Sequence, residues 1–410
     1  MLKTHKPLEK KVVQPSNLNN GVNYGHKNLK LMELNYRRNL ESDYTERMEE
    51  LYKAFDYESN SEYYWSNPEL SILYGSPLYQ QASVAQKKAL NHLYWVQFYY
   101  ATAATEANTI LFNQITSNAF FPFSEYGVLC HTLDVETSQE RYHVDAFHTI
   151  GYITEKALLD EPVFYHTLPA KGNRIGKDQA IHKGIAGRAA QPLIMNLLKI
   201  NLSDSPFLAS QYYAARGVGN LHLKNKEYSY SQYFKQLEQK GEFIPAPTAV
   251  SRYHLLDESF HTTTSQLISH EIYKDFPQPS AYEKFIANLM IHMLQHNVLK
   301  SLSGVIPGAT AGDGDFIMSW IYKLLRSRLF SMDQTEALEW MQKCFCQEHD
   351  GFHVSAKYHQ HLQRDIQKFL DGLDYLWPSN REMHRMAAGG AIEQAISNNI
   401  RDFKKLTQSL

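Results

Sequence analysis

The chain has 410 residues, 43% of them apolar, which is enough to bury a large core and excludes extensive disorder. Its 41 basic and 43 acidic residues nearly balance, which argues against a nucleic-acid-binding protein. Three cysteines exclude a disulfide framework, and no apolar run approaches the roughly 20 residues that span a membrane. Because no apolar segment follows the basic N-terminus, we expect a cytoplasmic protein with neither membrane nor nucleic-acid partners.

The first part of the chain, residues 1–75, is polar and mixed in charge. Helical spacing over residues 29–55 predicts one or two surface helices behind an N-terminal arm. From Val84 onward, more than thirty residues contain neither proline nor glycine, a pattern typical of a long bundle helix. We expect Pro122 to end this helix.

Three more long helices are predicted, over residues 125–159, 206–240 and 250–274. An inserted glycine-rich loop over 169–187 and a short apolar helix over 188–200 are expected between the first and second of these. Gly217 and Gly219 predict a kink in the helix over 206–240.

The absence of a convincing alternating strand makes the predicted fold all-α. We expect a four-helix bundle over residues 76–275, with additional helices at both ends. Residues 1–75 would form the arm and its surface helices, and residues 276–410 a helical region packed on the bundle.

The four predicted core helices carry a repeated arrangement of possible metal ligands, in the order Glu106, then Glu140 and His143, then Glu227, then Glu258 and His261. Residues three apart share one face of a helix, so each Glu-x-x-His pair projects together. A four-helix bundle directs such faces at its own axis, where they build carboxylate-bridged dimetal sites. Two divalent ions offset the charge of four carboxylates, and mixed carboxylate and imidazole ligands favour iron or manganese.

Two positions in this pattern leave alternatives open. His254 lies four residues before Glu258 and shares its face, so it is either an additional nitrogen ligand or a buried histidine behind the ligands. Glu227 is flanked by Lys224 and Lys226, which would also suit a solvent-exposed face.

These residues resemble the non-haem di-iron arylamine N-oxygenases of the p-aminobenzoate type. That family repeats a glutamate followed, one helix later, by Asp-Glu-x-x-His, and adds a histidine four residues before the last glutamate. The second repeat of this chain fits in full, with Asp257 before Glu258 and with His254. The first repeat has Gln139 where the family has aspartate, at a position expected to orient a ligand. The resemblance covers residues 75–275.

The resemblance implies a ferritin-like oxidoreductase with two irons, O2 as co-substrate, an external electron donor and oxygen transfer to an amine in secondary metabolism. The metal ligands it implies are Glu106, Glu140, His143, Glu227, His254, Glu258 and His261. All of these except His254 are also the expected catalytic residues. Manganese could replace iron in such a ligand set.

The residues themselves leave the substrate open. Related dimetal halogenases that act on carrier-bound acyl chains share this repeat. The alternative to the N-oxygenase is therefore a halogenase, hydroxylase or desaturase that acts on an unactivated C–H bond. A second alternative is a non-catalytic ferritin-like metal-binding protein. The substrate would be a small molecule or one bound to a carrier protein, and bundles of this kind also form homodimers.

Overall fold

The computed structural model describes residues 27–160, 162–164, 201–202 and 204–410. The loop expected over 169–187 and the helix expected over 188–200 lie outside these residues. Every regular element in the described part is helical, which confirms the all-α prediction. The α-helices are α1 (Lys27–Glu41), α2 (Thr45–Lys53), α3 (Tyr57–Ser61), α4 (Pro77–Gln81), α5 (Val84–Phe120), α6 (Gly127–Leu158), α7 (Pro206–Lys240), α8 (Ala246–His270), α9 (Ala281–Asn297), α10 (Asp315–Arg326), α11 (Gln334–Cys346), α12 (Asp350–Asp371), α13 (Pro378–Arg381), α14 (His384–Ala388) and α15 (Ile392–Ser409). Two short 3-10 helices occur at Ser124–Tyr126 and Ile272–Asp275.

Local signals set the ends of the core helices α5 to α8. Ser83 caps α5 in a capping box with Gln86, and the helix ends just before Pro122. Ser205 caps α7 and Pro206 occupies its first turn, where the missing N–H costs nothing. Gly241 ends α7 in the left-handed conformation, with φ of 64°. The predicted bounds of the long helices are therefore confirmed to within a few residues.

The core consists of two antiparallel helix pairs, α5 with α6 and α7 with α8. In the first pair, the Asn113 amide donates to Thr137 Oγ1 at 3.2 Å. In the second pair, Asn220 lies opposite Thr262, with 3.5 Å between the amide nitrogen and the hydroxyl, and Glu227 lies opposite His254. These contacts fix the register in which each pair presents its inward face.

The kink expected in α7 does not interrupt the helix, which runs continuously through Gly217 and Gly219. At Gly217 an added Cβ atom would lie 2.2 Å from the ring of Phe369 in α12. Nothing lies within 4 Å of the corresponding position at Gly219. The first glycine therefore allows α12 to approach α7 closely.

The N-terminal helices α1 and α2 cover the bundle on the side of α6 and α8. The Asn35 amide donates to the carbonyl of Phe260 and to Thr264 Oγ1 in α8. Asn39 is fully buried and exchanges hydrogen bonds with Gln139 of α6. These helices were expected on the surface, but their inner faces form part of the packing around the bundle.

Helices α9 to α15 surround the other side, where α9 and α12 pack against α7. The domain division expected at residues 75 and 275 remains a prediction. Among the described helices, none is both long and apolar enough to cross a bilayer.

Candidate metal centre

A buried cluster of carboxylates and imidazoles lies between the four core helices. It contains two sets of potential ligands, in each of which one atom from every residue lies within 4.8 Å of the others. The first set, called here the first position, consists of Glu106, His143, His254 and Glu258. The second set, called the second position, consists of Glu140, Glu258 and His261. Glu258 belongs to both, as a bridging carboxylate in a dimetal site would.

The two Glu-x-x-His histidines turn equivalent faces toward the cluster. His143 Nδ1 lies 3.6 Å from Glu140 Oε2, and its Nε2 lies 3.4 Å from Asp257 Oδ2. His261 Nδ1 lies 2.7 Å from Glu258 Oε1, and its Nε2 donates to Gln139 Oε1 at 2.9 Å. Each histidine is thus oriented by the residue that precedes the glutamate of the other pair.

His254 is held between two carboxylates. Its Nδ1 lies 2.6 Å from Glu227 Oε1, and its Nε2 lies 2.9 Å from Glu106 Oε1. Glu227 also accepts a hydrogen bond of 2.7 Å from the Tyr99 hydroxyl. The ring of Phe147 lies 5.0 Å from that of His254, so an aromatic side chain borders this imidazole.

Glu227 is fully buried, which excludes the solvent-exposed interpretation of its position. It nevertheless belongs to neither position of the cluster. The structure therefore brings together six of the seven expected ligands and places the seventh behind His254. The neighbouring Lys226 is also buried, with its ammonium 4.6 Å from the centre of the Phe98 ring.

Arg216 completes the cluster and was not foreseen from the sequence. Its guanidinium donates to Glu140 Oε1 at 2.9 Å and also to Glu136, and all three side chains are buried. The spacing along α7 could have pointed to Arg216. It lies eleven residues before Glu227, which is about three helical turns, so the two residues share one face of the helix. A sequence search restricted to metal-ligand residue types passes over an arginine.

The unsatisfied polar atoms of the cluster fit a bound cation. Four buried atoms of the seven expected ligands have no hydrogen-bond partner among the described residues: Glu106 Oε2, Glu140 Oε2, Glu227 Oε2 and His143 Nδ1. Buried polar atoms are nearly always paired, and three of these four belong to members of the two positions. A divalent ion at each position would satisfy the three atoms of Glu106, Glu140 and His143. Oxygen and imidazole donors suit iron or manganese.

The electrostatics of the cluster also suit a metal site. Burial raises the pKa of Glu106 to about 7 despite the neighbouring His254. Burial and His254 disfavour protonation of His143, but the neighbouring carboxylates of Asp257, Glu140 and Glu106 raise its pKa to about 9. Without an ion, the imidazoles neutralise the carboxylates by holding protons. A bound metal would displace those protons, so binding should weaken as the pH falls.

The family described as Acyl halogenase CylC-like matches residues 27–183 and 165–407 of the chain. No curated protein and no solved structure matches the chain. The specific N-oxygenase resemblance is not confirmed, whereas the match agrees with the related dimetal halogenases. The first matched segment contains the α5–α6 pair and the second contains the α7–α8 pair, so each carries one half of the cluster. With matched segments that together run from residue 27 to residue 407, the chain belongs to the CylC-like acyl halogenase family.

Proposed function

We propose that the protein is a dimetal-carboxylate halogenase that replaces a hydrogen on an unactivated carbon of an acyl chain with a halogen. The observation that carries this proposal is the pair of buried ligand sets sharing Glu258 in a chain that belongs to an acyl halogenase family. Halogenation of an unactivated carbon needs a strong oxidant, which a metal centre can generate from O2.

We propose that six residues hold the two ions: Glu106, His143, His254 and Glu258 at the first position, and Glu140 and His261 with the shared Glu258 at the second. Iron is the proposed metal, with manganese as the alternative. When bound, the ions would supply O2 activation. The protein supplies the rest: Asp257 and Gln139 orient the histidines, and the buried aromatic wall of Tyr99 and Phe147 keeps water away.

We further propose that the acyl substrate arrives on a carrier protein and that an external donor supplies electrons. Support for the carrier comes from the dimetal halogenases that the sequence resembles. Support for the donor comes from the chemistry, because O2 supplies four oxidising equivalents and the replacement of C–H by C–halogen consumes two. The remaining two equivalents require a reductant.

An arylamine N-oxygenase is the second candidate. The observation that favours it is His254, which lies four residues before Glu258 as in that family and reaches the first position. N-oxygenation needs no halide, so the two candidates differ in their co-substrate.

The test is a reaction of the Fe(II)-loaded full chain with O2 and a reductant, with and without chloride, on acyl-carrier and arylamine substrates, followed by mass spectrometry. We expect chloride-dependent replacement of hydrogen by chlorine on the acyl chain. A gain of oxygen on the amine, independent of chloride, would instead establish the N-oxygenase. Metal uptake without any product from either substrate class would favour a non-catalytic metal-binding protein.

A further inference from the structure

A series of oxidisable aromatic side chains leads away from the metal centre. The ring of Tyr99 lies 6.1 Å from that of His254, a member of the first position. Between ring centres, Trp95 lies 4.5 Å from Tyr99, and Trp65 lies 5.9 Å from Trp95. Tyr57 follows at 6.2 Å from Trp65. These four residues, called here the aromatic relay, are Tyr99, Trp95, Trp65 and Tyr57, and each ring adjoins the next.

The aromatic relay runs from the buried centre to the surface of the protein. Tyr99, Trp95 and Trp65 are fully buried, whereas Tyr57 is partly exposed. Tyr57 also lines a surface cavity of about 700 Å³ between the start of α5 and the end of α6. A small molecule in this cavity can therefore reach the outer end of the relay without entering the bundle.

Each end of the relay is a tyrosine that donates a hydrogen bond to a base. The Tyr99 hydroxyl donates to Glu227 Oε1 at 2.7 Å, and the Tyr57 hydroxyl donates to His92 Nδ1 at 3.1 Å. An oxidised phenol is a strong acid, so a tyrosine loses an electron most readily when a base within hydrogen-bond reach takes its proton. Both terminal tyrosines meet this condition.

The two inner members of the relay are tryptophans bonded to neutral oxygens. Trp95 Nε1 donates to Ser251 Oγ at 2.9 Å, and Trp65 Nε1 donates to the Asn60 carbonyl at 3.2 Å. Tryptophan is oxidised more readily than phenylalanine and can pass an electron on without losing its proton. Packing alone needs only apolar rings, which phenylalanine would provide without a buried N–H to satisfy. The tryptophans therefore suit electron transfer in addition to packing.

We propose that the aromatic relay carries electrons from the surface to the metal centre when the centre has been oxidised in the absence of acyl substrate. This rests on the proposed function, because an oxidant strong enough to attack an unactivated C–H bond also oxidises tyrosine and tryptophan. Without such a route, the oxidant would attack the side chains that surround it. The proposed source of electrons is a small thiol in the cavity beside Tyr57.

Each transfer moves one electron inward and leaves every ring as it was. Tyr99 gives an electron to the centre and is reduced by Trp95. Trp65 then reduces Trp95, and Tyr57 in turn reduces Trp65. Each tyrosine passes its hydroxyl proton to the base beside it on oxidation and takes it back on reduction. Two thiols become a disulfide and supply the two electrons that the substrate would have supplied. They release two protons, the number needed to complete the reduction of oxygen to water.

The test exposes the Fe(II)-loaded full chain, freed of unbound iron, to O2 without substrate and with a nitroso spin trap. Peptide mass spectrometry then locates the trapped radicals. We expect an adduct at Tyr57 in the wild type, and its loss when a small thiol is added. Trp95→Phe keeps an aromatic ring but raises the barrier to transfer, so the adduct at Tyr57 should fall about tenfold or more. Oxygenation of Tyr99 should rise in the same variant.

Trp340→Phe is the matched control, because it removes a tryptophan of α11 that lies outside the relay, and it should keep the wild-type yield. Trp65→Phe serves as the interrupting variant if Trp95→Phe does not fold. Equal yields at Tyr57 in the interrupted and control variants would overturn the relay.

O2 uptake and iron content measured on the same samples separate this inference from the proposed function. Wild-type protein that consumes O2 without an adduct at Tyr57 would overturn the relay and leave the dimetal centre intact. Iron-loaded protein that consumes no O2 without substrate would also overturn it, because no oxidising equivalents would then need a route. Wild-type protein that binds no iron would refute the proposed function itself.

Discussion

Glu258 and Glu227 are both buried, yet they have different partners. Glu258 belongs to both metal positions, whereas Glu227 bonds to His254 and Tyr99. Removing a shared ligand affects two ions at once, while removing a positioning group affects only the orientation of one donor.

We therefore expect Glu258→Gln to hold less than half of the wild-type metal, and Glu227→Gln to hold nearly all of it. The two variants remove the same charge from the same kind of buried site, so each is the control for the other. The measurement is metal content by atomic emission, with helical circular dichroism to confirm folding. The reverse order of metal loss would place Glu227 among the ligands.

Asp257 and Gln139 contact equivalent histidines of the cluster but differ in charge. The first is a carboxylate that faces His143, and the second is a neutral amide that accepts from His261. An anionic partner makes an imidazole a stronger donor than a neutral partner does. The glutamine at position 139, where the resembled family has aspartate, should therefore make His261 the weaker imidazole donor of the two.

At the element scale, α7 combines two different uses of glycine. Gly217 admits the Phe369 ring, whereas Gly219 faces open space. Alanine has a higher helix propensity than glycine, so replacing either glycine with alanine gives the helix the same intrinsic gain in stability. At Gly217 the new methyl group also overpacks the contact with α12.

We expect Gly219→Ala to be more stable than Gly217→Ala by about 1–3 kcal/mol, which is the usual cost of overpacking. Gly219→Ala itself should be slightly more stable than the wild type. Urea unfolding followed by circular dichroism measures the free energies. Equal stabilities would mean that Phe369 can move aside at no cost.

The extent of the helices could be predicted from the sequence because their signals are local. Ser83, Pro206 and Gly241 act within one turn of the ends they define. The layer at which a residue faces its partner helix has no local signal, because positions seven apart, such as Asn220 and Glu227, have the same periodicity. The contact between Arg216 and Glu140 likewise depends on the register between helices.

At the scale of the whole molecule, the segment before α5 is fastened to the bundle through His92. This ring stacks on Trp65 at 4.2 Å, its Nε2–H donates to the Tyr63 carbonyl at 2.7 Å, and its Nδ1 accepts from the Tyr57 hydroxyl. Burial lowers the pKa of His92 to about 4. The folded protein therefore holds this imidazole neutral at pH values where the unfolded chain, with a pKa of about 6.5, takes up a proton.

Because the unfolded state binds more protons between about pH 6.5 and pH 4, stability should fall as the pH is lowered through that range. His92→Gln keeps a donor and an acceptor but does not titrate. We expect the metal-free wild type to lose more unfolding free energy between about pH 7 and pH 4.5 than this variant. Urea titrations at both pH values provide the comparison, and equal losses would show that His92 does not contribute to acid sensitivity.

Each metal position draws its donors from both helix pairs: Glu106 and His143 meet His254 and Glu258, and Glu140 meets His261. Neither hairpin can form a complete site alone. During folding, each hairpin can form from contacts near in sequence, but the centre exists only after the two have docked. Under the proposed function, the two ions would therefore bind only after the helix pairs have docked, and once bound they would resist separation of the pairs.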